Sequence, residues 1–151
     1  MNKHRIILTN KKLSFKYFIY EKIEAGMVLQ GWEIKSIIAG NFSLNESYVT
    51  IINEEVWIKN SSCTALLYTR PEEAIARKDR KLLLHKKQIN TLIGKVKQQG
   101  FSLGIVDLHW SKRKIKAEIA LVKGKKDYDK RQALKEKEWN DTKQSLLKHD
   151  Y

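Results

Sequence analysis

The chain has 151 residues, with 30 Lys and Arg against 17 Asp and Glu, and its formal net charge at pH 7 is +13. This length fits one domain, and no apolar run approaches the roughly 20 residues of a membrane-spanning helix, which argues against a membrane protein. A single cysteine, Cys63, excludes an intramolecular disulfide and fits a reducing, cytoplasmic compartment. The large basic excess predicts a polyanionic partner, with nucleic acid favoured over a membrane surface.

The first part of the chain predicts strands separated by one short helix. Residues 1–9 show no clear pattern and predict an irregular start. Residues 15–23 are rich in aromatic and branched side chains and predict a strand. Gly26 is interpreted as a bulge or bend, after which residues 27–29 are again extended. Residues 31–40 place isoleucines at helical spacing between two glycines and predict a short helix.

Two hairpins and one amphipathic helix are predicted further along. Residues 47–52 and 56–58 flank a polar turn and predict the first hairpin. Residues 86–99 carry apolar side chains at helical spacing, and Gly100 is suited to end that helix. Residues 101–121 alternate apolar and polar side chains, with one change of phase, and predict a long second hairpin.

The segment between the first hairpin and the long helix is the least regular. Residues 63–68 are predicted to be extended, and residues 71–73 resemble a helix start because they place proline before two acids. Residues 82–84, three consecutive leucines, predict a buried element.

The elements together predict a mainly β (α+β) fold. We expect a small antiparallel β-barrel with two or three flanking helices, since closure protects strand edges that an open sheet exposes. Residues 1–122 would form this RNA-binding body. Residues 123–151 would form a basic tail with nine Lys and Arg against six acids. Its sparse apolar content predicts a segment that is disordered when free and helical on a polyanionic partner.

Catalytic chemistry has little support in this sequence. The four histidines are scattered, Cys63 has no cysteine partner at ligand spacing, and no phosphate-binding glycine loop is present. The sequence therefore predicts neither a metal site nor a cofactor. A nuclease that uses Glu24 with Glu33, or Asp127 with Asp129, is the alternative from the enzyme class, and a generic ribosome-associated β-barrel protein is the alternative among RNA binders.

Three motifs resemble those of the SmpB family, the SsrA-binding proteins. The tail reads GKKDYDKR from Gly124, the body reads EAGMVLQGWEIKS from Glu24, and a third string, RKLLLH, starts at Arg80. The resemblance extends from about Asn10 to Trp139, which is most of the chain. It implies an OB-like barrel with flanking helices and a non-enzymatic adaptor that binds transfer-messenger RNA (tmRNA).

The resemblance implies that the body recognises the tRNA-like domain of tmRNA. Lys35 and the basic residues near Arg80 would contact phosphates. Trp32 would either stack on a base or belong to the core, and Glu24 would either accept from a base or ribose hydroxyl or orient a neighbouring lysine. The residues implied at the tmRNA are Asn10, Lys11, Lys12, Glu24, Gly31, Trp32, Glu33, Lys35, Arg80, Lys81, Leu83 and His85.

The resemblance also assigns the tail to the ribosome. In this family the tail enters the empty mRNA channel and occupies the decoding centre of the small subunit, while the body replaces the missing anticodon arm of tmRNA. This role implies one protein copy with one tmRNA and no membrane partner. The residues implied at the ribosome are Gly124, Lys125, Lys126, Tyr128, Asp129, Lys130, Arg131, Lys135 and Trp139.

Two stretches depart from the family pattern. The chain has Phe15-Lys16-Tyr17 where the family has His-Asp-Tyr. Residues 69–79 read TRPEEAIARKD and lack the family's usual PYxxGN and DPxR strings. Lys78 would supply the positive charge of an arginine that is missing here, but as a point charge that cannot make the bidentate contact of a guanidinium.

Overall fold

The computed structural model describes residues 5–66 and 76–125, together with residues 131, 135, 138 and 139 of the tail. Most of the described residues belong to strands. In chain order the elements are β1 (Arg5–Thr9), α1 (Lys11–Lys16), β2 (Tyr17–Met27), α2 (Gly31–Ile38), β3 (Phe42–Ser43), β4 (Tyr48–Ile52), β5 (Glu55–Lys59), β6 (Ser62–Cys63), β7 (Arg80–Leu83), α3 (Lys86–Gln99), β8 (Ser102–Ser111) and β9 (Lys114–Gly124).

Seven strands form one sheet that closes on itself. The strand order is β1-β8-β4-β5-β7-β2-β9, and β9 also pairs with β8. Six strands therefore form a ring, and β1 lies outside it against β8, while β3 and β6 form a separate pair. All of these pairings are antiparallel. The predicted mainly β fold with two or three helices is confirmed, since the described residues contain three helices.

The interior of the ring is apolar. In β9 the alternation predicted from the sequence is confirmed, because Ala117 and Ile119 are fully buried and Glu118 between them is partly exposed. The change of phase in β8 corresponds to a register shift between Ile105 and Asp107. This irregularity restores the inward direction for Leu108, which is also fully buried.

The start of the chain differs from the prediction. Residues 5–9 form strand β1, which pairs with β8, in place of an irregular segment. Residues 11–16 form helix α1, and the predicted strand begins only at Tyr17. The reason is a tertiary contact: α1 buries Leu13 in a small cluster with Ala120 and Val122 on the outside of the sheet.

Gly26 does not break β2, which runs without interruption to Met27. The register shift in β2 lies instead between Ile19 and Glu21. Gly26 allows β7 to approach, since a Cβ atom at this position would lie 3.2 Å from the Cβ of Leu83. The glycine therefore marks a close strand contact and not a bulge.

Both hairpins and both predicted helices are present. The turns place Asn53-Glu54 and Lys112-Arg113 at positive φ, as two-residue hairpin turns require. Helix α3 ends where predicted, at Gly100 with φ +71. Of residues 63–68, predicted to be extended, Cys63 lies in β6, residues 64–66 are in no helix or strand, and residues 67–68 lie outside the described residues. The predicted helix start at residues 71–73 also lies outside them.

Candidate nucleic-acid interface

Strand β7 carries the RKLLLH motif, and its alternation divides the motif between two sides of the sheet. Arg80 and Leu82 are buried, whereas Lys81 is half-buried and Leu83 is 53% exposed. Successive strand residues point to opposite faces, so Arg80 and Lys81 cannot both face an RNA. Leu83 is likewise not part of a buried element, contrary to the prediction for residues 82–84.

The buried Arg80 is bonded to Glu33 of α2. Its Nε donates to Glu33 Oε2 at 2.6 Å, and both side chains are at most 1% exposed. Its Nη1 donates to Ser61 Oγ at 2.8 Å and to the Ser61 carbonyl at 3.2 Å. Lys78 Nζ contacts the other oxygen of Glu33 at 3.0 Å. Burial therefore assigns Arg80 and Glu33 to the framework of the site, in place of the direct RNA contacts predicted for them.

The network explains the titration of Glu33. Burial would raise the pKa of this carboxyl, but the backbone N–H of Gln30 and the side chains of Arg80 and Lys78 outweigh it, and the pKa is lowered. Cys63 lies beside the same network, and burial raises the pKa of its thiol. A protonated, buried thiol fits a packing role for Cys63.

The lowered pKa of Glu33 predicts a loss of stability in acid. The ion pair stabilises the fold fully above the ordinary pKa of 4.5, and this contribution disappears as the pH falls through the lower folded value. We expect the difference in unfolding free energy between the wild type and Glu33→Gln to shrink below about pH 4.5, measured by urea unfolding. Glu46→Gln, the control, removes an exposed carboxylate that contacts Lys12 at 3.6 Å and should change the unfolding free energy by at most about 1 kcal/mol. A Glu33→Gln difference that stays constant with pH would contradict the prediction.

Hydrogen bonds around Gln30 stabilise the first turn of helix α2. The Gln30 N–H donates to Glu33 Oε1 at 3.0 Å, and Trp32 Nε1 donates to Gln30 Oε1 at 2.5 Å. Trp32 is only 8% exposed, which favours the core alternative over stacking on a base. Gly31 and Lys35 of the same helix are exposed, and Lys35 keeps its predicted position for a phosphate contact.

Three of the predicted tmRNA contacts, Asn10, Lys11 and Lys12, lie at the start of α1 and differ in their exposure. Lys11 and Lys12 are exposed, and Lys12 contacts Glu46 at 3.6 Å across the surface. Asn10 is buried; its Nδ2 donates to the Ile105 carbonyl at 3.0 Å, and its backbone N–H donates to the neighbouring carbonyl at the register shift of β8. These two hydrogen bonds of Asn10 therefore attach the N-terminus of α1 to strand β8. His85 is exposed at the N-cap of α3, where it forms a capping box with Gln88, and its RNA contact stays a prediction.

The antiparallel register gathers charged residues on the outer face of β2, β9 and β8. Glu24 lies opposite Glu118, which in turn lies opposite Asp107. Lys116 and His109 lie opposite each other in the adjacent row. We call these five residues the Glu24 cluster. Only Glu24 of these five was predicted from the sequence as a site residue, because strand pairing brings the other members to it from more than 80 positions away.

Ion pairs and hydrogen bonds connect the Glu24 cluster. His109 Nε2 lies 2.8 Å from Glu24 Oε2, and His109 Nδ1 lies 2.8 Å from Asp107 Oδ1. Lys116 Nζ lies 3.3 Å from the second oxygen of Glu24. The hydrogen bond from His109, together with Lys116, lowers the pKa of Glu24. Burial and the neighbouring carboxylates of Asp107 and Glu24 raise the pKa of Glu118.

The Glu24 cluster also contains three groups spaced as metal ligands often are. Ligating atoms of Glu24, His109 and Glu118 lie within 4.8 Å of one another. Both ring nitrogens of His109 already face carboxylates, which is the arrangement of a protonated imidazole without a lone pair for a cation. We therefore interpret the cluster as an ion-pair network and keep the sequence-based prediction of no metal site.

The Glu24 cluster and the exposed part of β7 form one surface. Gly26 lies in register between Leu83 of β7 and Lys116 of β9. Because Gly26 has no side chain, no side chain of β2 stands between the exposed Leu83 and the charged Lys116 on this face. The motif that begins at Glu24 and the RKLLLH motif, distant in sequence, thus meet on one outer face.

The beginning of the tail continues the sheet. Strand β9 extends through Gly124, two residues beyond the predicted boundary at residue 122, and the Lys125 N–H donates to the Lys16 carbonyl at 2.9 Å. Arg131, Lys135 and Trp139 are helical, and Trp139 is 65% exposed. The disordered free state of the tail stays a prediction. The remaining predicted tail contacts, Lys126, Tyr128, Asp129 and Lys130, lie outside the described residues.

A closed antiparallel sheet with a strongly basic chain and a charged outer face is typical of small nucleic-acid-binding proteins. The sequence profile of the SmpB family, described as "SmpB protein", matches residues 7–149. The chain belongs to the SmpB family. Within the described residues, no helix is long and apolar enough to cross a membrane.

Individual relatives agree with this assignment. The chain is 45% identical over 143 residues to an SsrA-binding protein of Azoarcus sp. (strain BH72), covering 94% of this chain and 97% of the relative. It is 47% identical over 146 residues to an SsrA-binding protein of Nitrosomonas europaea, covering 94% of this chain and 95% of the relative. A solved structure described as "tmRNA-SmpB: a journey to the center of the bacterial ribosome" superposes with a TM-score of 0.65 at 30% identity, covering 85% of this chain and 94% of that chain.

Proposed function

We propose that this protein is a tmRNA-binding adaptor of trans-translation that acts in the cytoplasm and catalyses no reaction. The observation that carries the proposal is the meeting of two family motifs on one outer face, where Gly26 separates Leu83 from Lys116. The names of its relatives, SsrA-binding proteins, and the tmRNA-SmpB structure support the same partner. One copy of the protein would bind one tmRNA.

The chemistry of this face suits a folded RNA. Lys116 and Lys81 supply positive charge to phosphates, and Leu83 supplies exposed apolar surface for a base or ribose. Glu24 can accept a hydrogen bond from a base amino group or a ribose hydroxyl, the latter being specific to RNA. Lys11, Lys12, Lys35 and His85 extend the polar surface around this centre.

The body and the tail would have separate roles. The body would bind the tRNA-like domain and take the place of the missing anticodon arm. The tail, beyond residue 125, would enter the vacant mRNA channel and fold in the decoding centre. Ordering the tail costs conformational entropy, which only a vacant channel would offset, and this provides a means of distinguishing stalled from translating ribosomes.

Equilibrium binding to the tRNA-like domain of tmRNA tests the proposal. We expect the protein to stay bound to the tRNA-like domain in excess mature tRNA, and its affinity to fall only partly as the salt concentration rises. Binding by charge attraction alone would be lost under both conditions. Lys116→Ala should weaken this specific binding by about tenfold, the effect of roughly 1.4 kcal/mol.

Lys95→Ala is the matched control, since it removes the same charge from α3, where Lys95 contacts Glu21 away from the proposed face. It should leave the competitor-resistant affinity within about twofold of the wild type, as expected for an exposed ion pair. If mature tRNA displaces the tRNA-like domain from the wild type, the protein is a general RNA binder and the proposal is wrong.

A further inference from the structure

His109 is a buried titratable group that the proposed function does not yet use. Its side chain is 2% exposed, yet it lies on the outer face of β8 beside Glu24. Each ring nitrogen lies 2.8 Å from a carboxylate, Asp107 on one side and Glu24 on the other. Only the protonated ring can donate to both carboxylates at once.

The charges around His109 come from three strands. Glu24 of β2 and Asp107 of β8 contact the ring, and Lys116 and Glu118 of β9 lie next to these two carboxylates. Strand β1 places the apolar Ile6 opposite His109 in register. Burial would lower the pKa of His109, but the hydrogen bonds to Asp107 and Glu24 outweigh it, and the pKa is raised above its ordinary 6.5.

We propose that His109 is a positioning residue for RNA binding: held by Asp107, its ring fixes the Glu24 carboxylate beside Lys116 on the RNA-binding face. The inference rests on the proposed function, because it assumes that Glu24 contacts the RNA. A carboxylate held on one oxygen by His109 and on the other by Lys116 has lost its rotational freedom before the RNA arrives. Such preorganisation improves affinity by reducing the entropy lost on binding.

The arrangement gives RNA binding a defined pH dependence. As the pH rises through the raised pKa of His109, the ring loses a proton, and the Nδ1–H bond to Asp107 determines which tautomer remains. The lone pair of Nε2 then faces the Glu24 carboxylate, and the bond that fixes Glu24 is lost. Affinity for the RNA therefore decreases on the alkaline side of this transition.

A double-mutant cycle, measured as affinity for the tRNA-like domain of tmRNA at several pH values, tests the proposal. Glu24→Gln and His109→Gln should each weaken binding by about tenfold, as expected for a charge-assisted hydrogen bond. In the Glu24→Gln background, His109→Gln should have almost no further effect. His109→Gln should also lack the loss of affinity that the wild type shows as the pH rises.

Glu21→Gln is the control, because it removes an equal charge from an exposed position of β2 and should leave affinity unchanged. Circular dichroism and urea unfolding verify the fold, and Asp107→Asn, which removes the carboxylate charge at the Nδ1 side of the ring, replaces His109→Gln if that variant unfolds. Normal binding by Glu24→Gln would contradict the role of Glu24 in the proposed function. If Glu24→Gln binds weakly but His109→Gln binds normally, or if the effects of the two substitutions add, the positioning role of His109 is wrong while the proposed function stands.

Discussion

Arg80→Ala should lower the free energy of unfolding by about 3–5 kcal/mol, the usual effect of removing one member of a buried ion pair. The substitution leaves the Glu33 carboxylate, 1% exposed, with Lys78 as its one cationic partner among the described residues. It also removes the donors to Ser61. Urea unfolding at pH 7 followed by circular dichroism would measure the loss.

The neighbouring lysine provides the control for this experiment. Lys81→Ala removes the same charge from the next position of β7, where the side chain is 37% exposed and pairs with Glu55 at 3.3 Å. Such a surface pair contributes about 0–1 kcal/mol. Equal losses for the two variants would show that Arg80 is not the internal anchor. Replacing both Arg80 and Glu33 by apolar residues of similar volume should recover much of the stability.

A chain truncated after Lys125 should bind tmRNA like the full chain and fail to support alanyl transfer on stalled ribosomes. The ring of strands and the Lys125–Lys16 backbone hydrogen bond are complete at this point, so the body should keep its stability. The residues beyond Lys125 supply all the proposed ribosome contacts except those of Gly124 and Lys125. The measurements are affinity for the tRNA-like domain and tmRNA-dependent alanyl transfer with ribosomes stalled on truncated mRNA.

A longer truncation separates the parts of the tail. A chain that ends after Trp139 keeps the helical positions Arg131 and Lys135, and it should retain part of the transfer activity. Full activity of the chain truncated after Lys125 would show that the tail does not act in the decoding centre. Loss of tmRNA binding by that chain would instead place part of the RNA-binding surface in the tail.

Local patterns were sufficient for several elements. Helix α3 and its end at Gly100 follow from apolar spacing and a left-handed glycine, and the β8–β9 hairpin follows from alternation around a short turn. The Gly26 interpretation was wrong because the sequence does not reveal that β7 passes close to this position. Helix α1 was missed because its formation depends on burying Leu13 against β9, about 110 residues away.

Composition, charge and motifs in the sequence by themselves determined that this is a small, basic, mainly β protein of the SmpB type, and they predicted that Glu24, Lys35 and the RKLLLH string contact RNA. Only the tertiary structure decided which of these side chains face outward. Strand alternation buries Arg80 and exposes Lys81 and Leu83, and ring closure brings His109 and Lys116 to Glu24. The direction of a side chain depends on the pairing of strands far apart in the chain, which no local pattern specifies.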